Sequence, residues 1–270
     1  LGAIAALAMT VGLAACGTPA SQGTANQNQL VVGMEAGYPP FNWTQKDDSN
    51  GAVKIQGTDQ YAGGYDVEIA KRVAKQLGKE LVIVKTEWDG LTPALVSGKI
   101  DAIIAGMSPT EERKATIDFT DSYYDSQLVL VVKKGSKYAN ATSLADFAGA
   151  KVTAQLNTFH YSVIDQIPGV DKQAAMDNFP AMRVALQAGT IDAYVSELPE
   201  AISAQAANSD FVMVKLTDGF KVSPEDIQTA VGVKKDSPLT KEINEALKTI
   251  SSEERQQIMQ EAIKNQPAAE

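Results

Sequence analysis

Cysteine and histidine are nearly missing from this chain, with one of each in 270 residues. A single Cys excludes a disulfide framework within the chain, and one Cys with one His is too few for a Cys/His metal centre. Clustered positive charge is missing too. There are 24 Lys and Arg against 33 Asp and Glu, for a net charge of −9. No basic patch of the kind that nucleic-acid binding needs is visible. A bulk acidic surface serves solubility and attracts cations weakly. Residues 1–15 are apolar, small and uncharged, yet fall short of the roughly 20 residues a spanning helix takes. What is present is normal for a folded soluble protein: 44% hydrophobic and 21% charged residues. The length exceeds what one small core usually needs, so two domains or lobes are expected.

Residues 1–15 fit the apolar region of a secretory signal whose basic start would precede Leu1. Leu13-Ala14-Ala15-Cys16 followed by Gly17 resembles a bacterial lipobox. The resemblance implies that Cys16 is lipidated and becomes the mature N-terminus; a plain signal with an incidental Cys is the alternative. Residues 16–29 are small, polar and uncharged, and read as a flexible tether. The folded part is expected to begin near Leu30, outside the cytoplasmic membrane and tied to it by lipid.

From Leu30, strand-like and helix-like runs alternate. LVVGMEA reads as a buried strand. YDVEIAKRVAKQLG places apolar residues at 67, 69, 70, 73, 74 and 77 with Gly78 as a stop, the grammar of an amphipathic helix. ELVIVKTE, LTPALVSG and IDAIIAG continue as strand, helix and strand, which implies a mainly parallel sheet. A second series follows QLVLVVKKG. The two series share a repeat: Ala94-Leu-Val-Ser-Gly98-Lys-Ile-Asp101-Ala102 and Ala185-Leu-Gln-Ala-Gly189-Thr-Ile-Asp192-Ala193 agree at six of nine positions. Each is helix, Gly stop and strand, so two α/β lobes of like topology are expected. Ligands of open α/β sheets sit beyond the carboxyl ends of strands. The repeats deliver Ala105–Ser108 to one such edge and Ser196–Glu197 to the other, and facing edges make a cleft.

The first edge offers Ser108, expected as the N-cap of a helix with Pro109 at its first position, and the guanidinium of Arg113. Together they suit a carboxylate; a surface ion pair of Arg113 with Glu111, Glu112 or Asp118 is the alternative. The second edge offers Glu197, which suits an ammonium or is a solvated loop acid. Two such edges describe a site for a zwitterion. Tyr38, beside Pro39-Pro40, and Tyr65, at the next helix start, either sandwich a ligand side chain or pack their own lobe. Trp88 reads as core, and His160, at a helix start, as structural. The polar segment 44–64 reads as a hairpin on the cleft rim.

The order Tyr-Pro-Pro-Phe, Gly-Tyr-Asp-Val-Glu-Ile-Ala, the run from Trp88 to Arg113, and Ile-Asp-Phe-Thr-Asp-Ser-Tyr-Tyr resembles the extracytoplasmic solute-binding proteins of polar amino acid ABC importers, bacterial solute-binding protein family 3. The resemblance covers nearly all of residues 30–265. It implies an α/β two-lobed periplasmic-binding-protein fold of type II, each lobe a mainly parallel sheet flanked by helices, joined by two crossover strands. Lobe 1 is expected over residues 30–126 plus 229–270 and lobe 2 over 127–228, with the crossovers near 125–128 and 226–231. Carried over residue by residue, Arg113, Ser108 and Thr158 hold the ligand α-carboxylate. Gly106 and Glu197 meet the α-ammonium, and Tyr38 and Tyr65 bracket the side chain. Asn157 stands where the family usually has Gly, and Glu197 where it more often has Asp. Glu35 matches an acidic position that, in basic-amino-acid binders, reaches the far end of the ligand.

The function implied is capture of a free amino acid, with arginine favoured, then lysine or histidine, and delivery to an ABC permease. No cofactor, metal or nucleic acid is expected, and the protein is expected to be a monomer. A binder of glutamine or another polar amino acid is the alternative within this class. A cyclohexadienyl-dehydratase-like enzyme, using Glu197 as its acid, is the alternative outside it. A sensor or adhesion lipoprotein with a vestigial cleft is a third.

Overall fold

The structure, a computed structural model, describes residue 2 and residues 26–268. Cys16, nearly all of the signal-like run and most of the tether lie outside the described residues. Two five-stranded mixed sheets organise the rest. In the first, Glu80–Lys85, Gln29–Met34 and Ala102–Ile103 are parallel, and Gln228–Val233 and Asp118–Asp125 complete the sheet antiparallel. In the second, Asp171–Lys172, Lys151–Thr153 and Ala193–Glu197 are parallel, and Leu128–Lys133 runs antiparallel between Ala193–Glu197 and Phe211–Val214. The parallel part of each sheet is the βαβ portion seen in the hydrophobic pattern. The antiparallel part comes from the strands that carry the chain between lobes.

Helix Tyr65–Gln76 buries Val67, Ile69, Ala70, Val73 and Ala74 against the first sheet, the face its periodicity marked. The repeat forms the same local structure twice. Helices Trp88–Ser97 and Phe179–Ala188 both end on a left-handed glycine, Gly98 at φ 81° and Gly189 at φ 78°. In each lobe the repeat Asp then ties strand to strand. Asp101 Oδ2 accepts from the Val31 N–H at 2.9 Å, and Asp192 Oδ2 accepts from the Lys151 N–H at 2.8 Å.

The chain crosses to the second sheet between Asp125 and Leu128, and returns through the loop that ends in the 3₁₀ turn Pro224–Ile227. The two crossings lie side by side: Gln228 is in register with Asp125, and the Ser126 N–H donates to the Ile227 carbonyl at 2.8 Å. The segment expected as a rim hairpin is larger than that. Gly37–Tyr38, Asn42–Gln45, Tyr61–Gly63 and Val53–Lys54 form a four-stranded antiparallel sheet. Trp43, Ile55 and Ala62 are buried beneath it, an apolar anchor hidden among polar neighbours.

The C-terminal amphipathic run is two helices, Leu239–Lys248 and Ser252–Asn265, broken where Ser251 caps the second by accepting from the Glu254 N–H. Arg255 fastens this helix to lobe 1 through the carbonyls of Ser122 and Leu247. Beyond its end, Gln266 reaches Ser203 of the second lobe, donating to its carbonyl at 3.1 Å and accepting from its hydroxyl.

Candidate ligand-binding site

Strand Ala102–Ile103 runs out into Gly106-Met107-Ser108. Gly106 sits at φ +61°, and a Cβ there would lie 2.7 Å from Tyr38 Cε1. Only glycine lets the Tyr38 ring close over this edge. The helix that follows differs from expectation. It spans only Glu111–Lys114, and its N-cap is Thr110, which accepts from the Arg113 N–H. Ser108 is therefore not the cap. Its hydroxyl donates to the Asp226 carbonyl at 2.9 Å, while the Thr110 N–H turns back to the Ser108 carbonyl at 2.9 Å and the helix starts two residues on.

Arg113 turns back over this edge. Its guanidinium donates to the Ser108 carbonyl at 2.9 Å and, across the cleft, to the Asn157 carbonyl at 3.2 Å, and lies 5.2 Å above the Trp88 ring. The surface ion-pair alternative is not what forms: Glu111 pairs with Lys114 and Asp118 with Lys235. Burial away from water pushes the Arg113 guanidinium down to about 10. A desolvated cation whose hydrogen bonds go only to neutral carbonyls is poised to take an anion. Trp88, expected as core, is half-buried and lines this place; its Nε1–H reaches the Asn157 carbonyl at 3.4 Å.

From the second lobe, strand Lys151–Thr153 leads to Gln155 and Thr158. Asn157 has φ +55°, the left-handed turn that a glycine would make freely and that Asn tolerates better than most residues. Its side chain donates to Asp89 of lobe 1 at 2.6 Å. The Thr158 hydroxyl donates to the Gln155 carbonyl at 2.8 Å. Strand Ala193–Glu197 ends on Glu197, 1% exposed, which accepts from the Tyr38 hydroxyl at 2.9 Å and lies 3.2 Å from His160 Nε2. Glu35, 7% exposed, accepts from Gln155 Nε2 at 3.1 Å, while its Oε1 has no partner. Burial, reinforced by Glu87 and Asp66, pushes the Glu35 carboxyl up to about 8, although the Gln155 bond opposes the shift.

The structure thus brings Tyr38, Gly106, Ser108, Arg113 and Thr158 around one small cavity of about 10 Å³, room for about one water molecule. Glu197 reaches it through Tyr38 and His160, and Glu35 through Gln155. Tyr65 is not brought there. It is fully buried, its hydroxyl donates to the Tyr123 carbonyl at 2.7 Å, and its ring packs among Phe41, Tyr123 and Tyr124. As the first residue of an inward-facing helix it belongs to the core. The ring that pairs with Tyr38 is Phe179, stacked at 4.5 Å with a 5° interplanar angle. Gln155, His160 and Phe179 were not picked out as site residues. Gln155 and His160 flank Thr158, which the family resemblance marked, and all three lie past the end of strand Lys151–Thr153, where open α/β sheets present their ligand-binding groups. Phe179 had no comparable signal, since an aromatic at a helix start usually packs inward.

Residues 30–265 match the model of the bacterial extracellular solute-binding proteins, family 3. The chain belongs to that family. This family 3 protein is 29% identical over 258 residues to the arginine-binding extracellular protein ArtP of Bacillus subtilis, covering 91% of this chain and 89% of ArtP. It is 31% identical over 284 residues to the glutamine-binding protein GlnH of the same organism, covering 98% and 97%. Among solved structures it resembles the amino acid ABC transporter substrate-binding protein AbpA of Streptococcus pneumoniae bound to L-arginine. There the TM-score is 0.75 and the identity 26%, with 88% of this chain and 95% of the other covered. The two-lobed fold is therefore that of an extracytoplasmic solute-binding protein of an ABC importer, and its relatives are transport proteins. No helix of the described residues is long and apolar enough to cross a membrane.

Proposed function

We propose that this solute-binding protein captures a basic amino acid, arginine before lysine or histidine, and hands it to an ABC permease without turning it over. The observation that carries the reading is Glu35. A carboxyl group buried in the cleft wall with one oxygen unpartnered is costly unless a ligand supplies a donor, and a guanidinium supplies two. At the other end Arg113, with the Thr158 and Ser108 groups, receives the α-carboxylate, and Glu197 receives the α-ammonium after giving up its Tyr38 hydrogen bond. An amino acid does not fit in a cavity of about 10 Å³, so the lobes part to admit it and close again around it. The moving units are residues 30–126 with 229–270, and residues 127–228. Membership of this sheet or that supports the division, with the paired crossings as the hinge.

A glutamine ligand is favoured by one observation: the group that Glu35 already binds is an amide, that of Gln155. Calorimetry against arginine, lysine, histidine and glutamine separates the two readings. Tight binding of arginine with recovery of unchanged ligand is expected; tight glutamine binding with no response to arginine would sink the basic reading. We also propose that Cys16 carries lipid and that the mature protein is a monomer. Cys16→Ser is then expected to release the protein into the medium, and a variant that stays membrane-bound would refute the anchor.

A further inference from the structure

On the far side of Glu35 from the cleft lies a second cavity, of about 380 Å³. The rim sheet of lobe 1 forms one wall at Gly37 and Pro39. Helix ends of lobe 2 form the other at Pro180 and Ala207, and Gln266 lines it as well. Two side chains, Gln155 and Glu35, separate the two spaces. Gln155 lines the small cleft, Glu35 lines the large cavity, and the two meet through a single hydrogen bond of 3.1 Å. Glu35 Oε1, the buried oxygen without a partner, belongs to this partition.

The large cavity is lined by two cations and two acids. Its two cations are already committed, Lys85 to the Thr44 hydroxyl and Arg183 to the buried Glu200. Its two acids, Glu35 and Glu87, have no ion-pair partner among the described residues. An amino acid pocket that ends in close-packed side chains rejects each added methyl group by about 10–200-fold. A pocket whose terminal carboxyl backs onto open space has no such end wall.

Resting on the basic-ligand reading above, we propose that Glu35 is a partition and not an end wall. The protein then accepts basic amino acids whose distal nitrogen carries further groups, N-alkylated guanidines above all. The guanidinium keeps two donors on Glu35 while its substituents pass beside the carboxyl into the large cavity. Recognition of the amino acid end by Arg113 and Glu197 is unchanged. Specificity is set by the charge at the far end and by the distance to it, and not by the bulk beyond.

The test is calorimetry of the full chain with L-arginine and with Nω,Nω-dimethyl-L-arginine. The dimethylated ligand is expected to bind within about tenfold of arginine, where a closed pocket, losing about 10–200-fold for each of the two added methyl groups, would discriminate by about a hundredfold or more. Ala207→Trp fills the large cavity from lobe 2. Gly37→Leu fills it from lobe 1, where an added Cβ meets nothing nearer than the Glu35 carbonyl at 3.9 Å. Either substitution is expected to weaken the dimethylated ligand by about tenfold more than arginine. Tight arginine binding with dimethylarginine weaker by more than about a hundredfold overturns this inference alone, as does equal loss of both ligands in both filled variants. Absence of arginine binding itself overturns the basic reading and this one with it.

Discussion

The two lobes build the same strand edge and then put opposite chemistry on it. In both, a left-handed glycine ends the repeat helix, and an Asp carboxylate three residues on accepts a neighbouring strand's N–H, at 2.9 Å for Asp101 and 2.8 Å for Asp192. Past that point they part. Lobe 1 turns through Gly106 and Ser108 to a half-buried arginine that donates to two carbonyls and lies over the Trp88 ring. Lobe 2 ends its strand on a buried glutamate that meets a phenol and an imidazole. The scaffold residues repeat because a sheet edge has few solutions. On the proposed amino acid reading, the two edges differ because the ligand is a zwitterion with two different ends, and Arg113 and Glu197 each take one of them.

This comparison is broken most directly at the charges. Arg113→Ala is expected to weaken every amino acid ligand alike, on the order of a hundredfold, since truncating a buried charge-pair partner costs about 2–5 kcal/mol. Titration calorimetry checks it; a loss confined to cationic ligands would mean that Arg113 reads the side chain instead. Glu35→Gln is expected to weaken cationic ligands by about tenfold, a charge-assisted bond contributing about 1.5–3 kcal/mol, and to spare glutamine. Ligand-dependent thermal shifts with arginine and glutamine on both forms give the ratio.

Glu35 also makes a pH prediction. Its folded value of about 8 lies above the ordinary 4.5, so the folded protein holds a proton there that the unfolded chain has lost. That contribution to stability is fully present below about 4.5 and is lost as pH rises through about 8. A cation at Glu35 favours the ionised form. Arginine binding at neutral pH should therefore release a proton and tighten as pH rises toward 8. Calorimetry in buffers of different ionisation heat reads the release, and Glu35→Gln should abolish it. The smallest effects are expected at the shared scaffold. Asp101→Asn and Asp192→Asn should each lower stability by about 1 kcal/mol, the worth of one hydrogen bond, with little change in affinity. Urea unfolding of the two variants tests whether the edges are as equivalent as their geometry; a several-fold disparity would end the analogy.

Much of this was legible in the sequence because it is periodic or positional. Helix Tyr65–Gln76 and the repeat helices announce themselves through apolar spacing and glycine stops. Arg113, Glu197 and Thr158 follow strand ends, where the fold presents its chemistry. The failures share a cause as well. Ser108 has the cap residue type and Pro109 the first-turn residue type, yet Thr110 is also a good cap and starts the helix two residues later. Tyr65 looks like a ligand-facing aromatic by its place in the chain, but the direction of its side chain is fixed by tertiary packing. Phe179 enters the site only because the lobes approach each other and it stacks on Tyr38, which no local pattern encodes.

The paired crossings at Ser126 and Ile227 join the lobes with two bonded strands, where a single linker would leave them free to twist and slide. Two parallel straps resist shear but still bend, so the jaws return to one alignment at each closing. Arg113 of one lobe and Glu197 of the other thus come back to a fixed spacing. On the proposed amino acid reading the protein works as calipers, gauging the short span between a carboxylate and its neighbouring ammonium before the transporter ever meets the cargo.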